Sequence, residues 1–225
     1  MSSHQHAPIR YGRAFAVGVV LNLAFVLVEA WYGWKSDSLA LIADAGHNLS
    51  DVAGLLLAWA AFGATNLKPN ARHSYGWRKG SIIASFINAS ILLAAMGALA
   101  WEAMGRLTAP TGVDGMTVII VAAIGLVINS FTAWMFMQGS QRDLNIRGAF
   151  LHMAADALVS AGVVFAGVLY LWQGWSWLDP VVSILVALVV VISTWSLFRC
   201  SIHLLFDGVP DDIDLLAVRA ELQAL

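Results

Sequence analysis

The chain is predicted to be an all-α, polytopic membrane protein with six transmembrane helices and both termini on the cytoplasmic side. Three observations carry this expectation. Of 225 residues, 60% are hydrophobic and only 12% are charged, against roughly 25% charged in soluble domains. Six apolar stretches reach the about 20 residues that a span needs. Ten of the twelve Lys and Arg residues fall on one side of those stretches, and that side is cytoplasmic by the positive-inside rule.

The spans are expected near residues 14–34, 38–63, 81–107, 114–138, 146–172 and 178–200. The first follows the tail "MSSHQHAPIRYGR". A secretory signal would have a shorter apolar core and a small-residue cleavage site, so this run reads as a retained span. "KSDS" separates spans one and two, and "NLKPNARHSYGWRKG" separates two and three. "TAPTGVDG", "QGSQRDLNIRG" and "QGWSW" mark the remaining breaks. Connections this short make neighbouring helices antiparallel hairpins. Arg10 and Arg13, then Lys68, Arg72, Arg78 and Lys79, then Arg142 and Arg147, then Arg199 and Arg219 share one side; only Lys35 and Arg106 fall at the other. The domain plan is therefore a cytoplasmic tail over 1–13, a six-helix membrane domain over 14–200, and a cytoplasmic stub over 201–225. In that stub, "DGVPDD" reads as a turn, and helical periodicity runs from Ile213 to Leu222.

Composition also excludes. A net charge of −2 and a pI near 6.3 offer nothing to a nucleic acid. Cys200 is the single cysteine, so neither an internal disulfide nor a cysteine-based zinc site can form.

Several polar residues interrupt the apolar spans. A carboxylate at the centre of a span costs about 2.5–3.5 kcal/mol on insertion scales, so such residues face a cavity or a partner and mark a site. In "LIADAGHNLSDVAG", His47 and Asp51 are four apart and share a helix face, with Asp44 a turn earlier. In "AFLHMAADALVSAG", His152 and Asp156 repeat that spacing, with Ser160 a turn later. If the two faces meet, two imidazole nitrogens and two carboxylate oxygens form a tetrahedral set that suits Zn²⁺. Such a set is poor for Ca²⁺ or Mg²⁺. One His–Asp pair alone could serve helix packing; two copies at the same spacing point to a metal or proton pathway. By the span boundaries the pairs are offset along the membrane normal by about 8 Å, which helix tilt must absorb.

Other polar residues carry less. Glu29 and Glu102, near the outer ends of spans one and three, either line an exit vestibule or are solvated at the interface. Asn22, Asn88 and Asn129 read as interhelical hydrogen-bonding residues. Trp31, Trp34, Trp172, Trp175 and Trp177 fit an aromatic belt. His4 and His6 lie on the tail with no specific role assigned.

At these motifs the chain resembles the cation diffusion facilitators, a family of zinc and related divalent-metal/proton antiporters. The matching stretches are "SLALIADAGHNLSDVAGLLLAW", "HSYGWRKGSIIASFINA", "LNIRGAFLHMAADALVSAGVV", "WLDPVVSILVALVVV" and "LLFDGVP", in the family's order. The resemblance implies zinc efflux in exchange for protons, with zinc as the transported substrate and no organic cofactor. It implies His47, Asp51, His152 and Asp156 as the transport site, with His at the first position associated with zinc over cadmium. It also implies a homodimer in a membrane, the bacterial cytoplasmic one being expected. Where relatives often carry a further cytoplasmic metal site, this chain keeps His73 but has Asn70 and Trp77, so that site is not expected. Ser81 stands where relatives commonly have Glu. Relatives continue after "LLFDGVP" into a ferredoxin-like cytoplasmic domain, of which residues 201–225 read as the first part. Lys79 and Asp207 sit where a charge interlock between helices would lie; two solvated loop charges are the other reading. An intramembrane metallohydrolase, which "LFDG" at 205–208 superficially suggests, is much the weaker reading because the chain has no His-Glu-x-x-His run; no enzymatic activity is expected. A passive metal or proton channel with the same ligands stays open as the alternative.

Overall fold

Backbone groups in a bilayer have no water to bond, so long apolar runs close their hydrogen bonds within a helix. The computed structural model describes residues 10–65, 78–109, 111–137, 144–209, 213 and 215–223. Among them are α1 (Arg10–Lys35), α2 (Leu39–Thr65), α3 (Arg78–Thr108), α4 (Gly115–Met137), α5 (Leu144–Gln173), α6 (Leu178–Leu205) and the short α7 (Leu215–Gln223), with no strand. The segments Ile82–Thr108, Gly115–Met137, Arg147–Gln173 and Leu178–Leu205 are long and apolar enough to cross a membrane. The 26-residue α1 and 27-residue α2 complete six long helices. The protein is thus an integral, multi-pass helical membrane protein. His4, His6, Asn70, His73 and Trp77 lie outside the described residues.

The helix ends follow local chemistry. α1 closes with Asp37 in the left-handed region at φ 56°, while Ser38 N–H donates to the Gly33 carbonyl at 3.0 Å and Asp37 N–H to Trp34 at 3.4 Å. α6 ends the same way: Asp207 has φ 57°, and Gly208 and Asp207 N–H donate to the His203 and Leu204 carbonyls. Both are Schellman closures that satisfy carbonyls left over at a helix end. α4 is opened by Asp114, whose carboxylate accepts from the Thr117 amide and hydroxyl.

The chain forms two compact units, Met1–Val52 with Ala95–Val190, and Ala53–Ala94 with Val191–Leu225. In the first, α4 shows how a helix that is apolar all round selects its protein-facing side. Its buried residues are Gly115, Val118, Val121, Ala122, Gly125, Asn129, Thr132, Ala133 and Phe136, one helical face rich in small side chains. Ile120, Ile124, Val127, Phe131 and Trp134 point outward. Lipid is as apolar as leucine, so close backbone approach, not hydrophobicity, distinguishes the packed face. A Cβ on Gly125 would lie 2.7 Å from Phe25 of α1, and one on Gly167 of α5 would lie 2.7 Å from Ile119 of α4. Around these contacts Phe25, Ala40, Leu41, Val118, Val121, Ala122 and Val163 form a buried core from α1, α2, α4 and α5.

The start of α2 is held by α6. Asp179 accepts from the Ser38 hydroxyl at 2.5 Å and from the amides of Leu39 and Ala40 at 3.0 and 3.4 Å. The Ser38 hydroxyl in turn accepts from Leu41 N–H at 3.3 Å. Across the short turn, Arg106 grips Asp37 through its carboxylate and its carbonyl, both at 2.8 Å. The second unit contains stacked Phe86 and Phe198, centroids 5.5 Å apart. There Lys79 Nζ meets Asp207 Oδ1 at 2.8 Å. The expected interlock is therefore a formed ion pair, yet both partners are exposed, and such pairs contribute only about 0–1 kcal/mol. The outward Trp31, Trp34, Trp172, Trp175 and Trp177 fit the expected belt.

Two outcomes follow for stability. Asp179→Ala strands three donors at the start of α2 and should destabilise the protein by about 1–3 kcal/mol, with Asp179→Asn milder; thermal unfolding in detergent or nanodiscs reads this. Gly125→Ala should cost about 1–3 kcal/mol through overpacking against Phe25, and adding Phe25→Leu should recover part of that loss.

Candidate metal centre

The helix spacing of His47 and Asp51 puts both on one side of α2, and that of His152 and Asp156 puts both on one side of α5. The two sides face each other. His47 Nε2 lies 3.5 Å from Asp51 Oδ2 within its own helix and 3.4 Å from Asp156 Oδ1 across the gap. His152 Nε2 lies 3.1 Å from Asp51 Oδ2 and 3.7 Å from Asp156 Oδ2. The imidazoles meet edge to face, with centroids 5.9 Å apart and planes at 85°. One ligand atom from each residue lies within 4.8 Å of all the others. The expected offset between the two pairs is absent: α5 passes α2 so that Ser160, one turn beyond Asp156, meets Asp44.

These dimensions can be compared with a metal cage. Donors about 2.0–2.1 Å from a tetrahedral zinc ion stand about 3.3 Å apart, from the geometry of the tetrahedron. The four His–Asp separations, 3.1 to 3.7 Å, bracket that value. Asp51 Oδ2 and Asp156 Oδ2 are buried and take no hydrogen bond, although imidazole nitrogens lie against them. Buried carboxylate oxygens without donors are suited to a cation. With two nitrogens, two oxygens and no thiolate, the donor set fits Zn²⁺ better than Cu(I) or Ca²⁺.

A further polar layer lies between this cluster and the α1–α2 turn. Glu29 of α1 is fully buried, so its reading as an interfacially solvated residue is wrong. Asn48 Nδ2 donates to Glu29 Oε2 at 3.3 Å, and the Ser160 hydroxyl donates to Asp44 Oδ2 at 3.4 Å. Glu102 behaves in the opposite way: it is exposed and pairs with Arg106 at 3.1 Å. Asn22 does bond between helices, to the Met153 sulfur at 3.5 Å, whereas Asn129 is buried with neither amide atom partnered among the described groups. Asp179 was missed by sequence reasoning because Asp before Pro at a helix start reads as a local cap, whereas its carboxylate caps a different helix. The burial of Glu29 had a faint signal. Its position near a span end suits solvation, and only the carboxylate and amide of "ADAGHN" on the next helix hint at a partner.

The fold and site together define a multi-pass helical membrane protein with a four-residue His/Asp cluster between α2 and α5 that could hold a metal ion. The model of the cation efflux transmembrane domain matches residues 15–206, and the chain belongs to that family. It is 37% identical over 207 residues to the zinc transporter ZitB of Yersinia pestis, covering 92% of this chain and 66% of that protein. It is 39% identical over 202 residues to the zinc transporter ZitB of Escherichia coli, covering 89% and 64%. The cadmium, cobalt and zinc/H(+)-K(+) antiporter of Bacillus subtilis is 35% identical over 214 residues, covering 94% and 69%. The chain thus spans just under two thirds of the length of the ZitB proteins it matches.

Proposed function

We propose that the protein exports divalent metal ions, zinc above all, from the cytoplasm in exchange for protons, by alternating access through His47, Asp51, His152 and Asp156. The observation that carries this is the convergence of these four donors, from two helices, within 4.8 Å of one another. The names of the similar transporters support zinc as the cargo and protons as the counter-ion. The activity is transport, not bond-making chemistry. The setting is the bacterial cytoplasmic membrane, with both termini inside as the distribution of basic residues favours. The family resemblance supports a homodimer in which each protomer has its own pathway.

Coupling follows from the ligands. Zinc takes neutral imidazole and ionised carboxylate, so every proton that binds these atoms competes with the metal. Imidazole is the side chain whose ordinary pKa, about 6.5, lies within the working range. An acidic outer compartment therefore favours exchange of zinc for protons at the same atoms, and no separate proton channel is required. Exposure is graded along the cluster: side chains of Asp156 and His47 are 3% and 13% accessible, against 31% for Asp51 and 41% for His152. The more open side is the one toward the end of α2 and the start of α5. In the proposed orientation this is the cytoplasmic side, where an exporter loads.

Replacing any one of the four by Ala should weaken zinc binding at least about 100-fold, beyond the 10–100-fold typical of residues that only orient ligands; calorimetry on the purified chain measures it. In proteoliposomes holding a zinc-sensitive dye, an opposing pH gradient should drive wild-type protein to move zinc against its concentration gradient. Asp51→Ala and Asp156→Ala should abolish that movement. Wild-type rates in both variants would refute the site, and purely downhill flow in wild type would favour the channel.

A further inference from the structure

The end of the protein beyond Asp44, opposite the more open side of the cluster, is tied by polar contacts that the metal centre does not use. Arg106, near the end of α3, reaches the α1–α2 turn. Its Nη1 donates to the Asp37 carbonyl and its Nη2 to Asp37 Oδ1, both at 2.8 Å. Two further bonds stay local: Nε donates to Glu102 Oε1, four residues back, at 3.1 Å, and Nη1 to Thr111 Oγ1, five residues on, at 3.0 Å. A guanidinium carries its donors in a rigid fork. Here the local bonds hold the fork on its own segment while the other two cross to the turn. A backbone contact crosses at the same place, from Asp114 N–H to the Ser36 carbonyl at 3.2 Å.

A small cleft lies beside this turn, between Ala40 of α2, Val118 of α4, Val163 and Tyr170 of α5, and Asp179 and Val182 of α6. Register fixes its place. Ala40 is one helical turn from Asp44, and Val163 is one turn from Ser160, which meets Asp44 at 3.4 Å. Asp44 and Ser160 are each one turn from the cluster residues His47 and Asp156. At 1.5 Å per residue, Ala40 lies about 10 Å along α2 from His47. The order toward this end is therefore cluster, Asp44–Ser160 contact, cleft, and the turn that Arg106 holds.

The contacts at this end differ in how readily they part. Asp179 is buried and accepts from the Ser38 hydroxyl and two backbone amides; breaking that cap strands donors in the interior. The Arg106 side chain is 13% accessible, but that of Asp37 is 52% accessible. Water can therefore take the place of the guanidinium on Asp37, while Glu102 and Thr111 keep Arg106 engaged. Ion pairs this exposed are weak, which suits a contact that must open in every cycle.

We propose that Arg106 and Asp37 form an outer latch. Closed, as here, the latch holds the cleft narrow while the cluster is open to the opposite side; its parting widens the cleft and joins the cluster to the outer medium. Arg106 touches no ion and is a positioning residue that sets which side is open. Its part in zinc release rests on the antiport reading above.

Thiol accessibility of the full chain tests the latch. Cys200, the single cysteine and an exposed one, is replaced by Ser, and Val118→Cys puts one thiol in the cleft. A membrane-impermeant maleimide added to right-side-out vesicles then reads opening toward the outer side. Labelling should be slow while Arg106 and Asp37 are intact. Asp37→Asn, which keeps a residue type that tolerates the left-handed backbone, and Arg106→Gln should each raise the rate by about fivefold, the population change that a well-formed surface ion pair holds back. Arg106→Lys, which retains the charge, should restore most of the slow rate. Val26→Cys, on a buried position of α1 away from the cleft, should stay slow in every background. Unchanged labelling of Val118→Cys in both variants would overturn the latch. An equal rise at Val26→Cys would overturn it too, since that marks general loosening. If wild-type protein fails to exchange zinc for protons, the transport reading fails, while the labelling rates still decide the latch.

Discussion

Everything distinctive about this molecule depends on the meeting of α2 and α5. Each helix alone places an imidazole and a carboxylate in a setting with nothing to solvate them. Together, each imidazole gains a carboxylate from the other helix, His47 with Asp156 at 3.4 Å and His152 with Asp51 at 3.1 Å. This alternation of acid and base across the gap makes burial tolerable. It also leaves one oxygen of each carboxylate, Asp51 Oδ2 and Asp156 Oδ2, without a hydrogen bond, which suits the cation proposed for the cluster.

The packing around the cluster serves that meeting without a hydrophobic driving force. Small residues let the helices approach: Gly125 against Phe25, Gly167 against Ile119, and Ala122, Ala40 and Val163 within the shared core. Most of the large side chains of α4, Ile120, Ile124, Phe131 and Trp134 among them, lie on its outward face. Polar contacts then fix register where dispersion alone would allow sliding. Asp179 binds the first turn of α2, Arg106 binds the turn before it, and Ser160 meets Asp44. Together they locate His47 and Asp51 along the membrane normal, opposite His152 and Asp156.

Much of this was legible in the sequence. The six long helices follow from hydropathy because a bilayer admits few backbone solutions; α2 was expected at 38–63 and occupies Leu39–Thr65. The four cluster residues were legible because an ionisable residue inside a span has few innocent explanations, and the same spacing occurred twice. Three features were less accessible. The offset between the two pairs was overestimated because span ends mark hydrophobic length, not the height at which helices cross. Glu29 admitted two readings because exposure near a span end depends on the neighbouring helix. Asp179 was overlooked because a cap supplied between helices leaves no local pattern; the donors belong to Ser38, Leu39 and Ala40, far away in sequence.

The central claim is that one ion is held jointly by α2 and α5. X-ray absorption at the zinc edge, on the full chain loaded with one equivalent of zinc, examines that ion's first shell. The account predicts four light donors at about 2.0–2.1 Å, two of them showing the outer-shell scattering of imidazole, and loss of one imidazole in either His47→Ala or His152→Ala. A six-oxygen shell, or a spectrum that neither substitution changes, would contradict it.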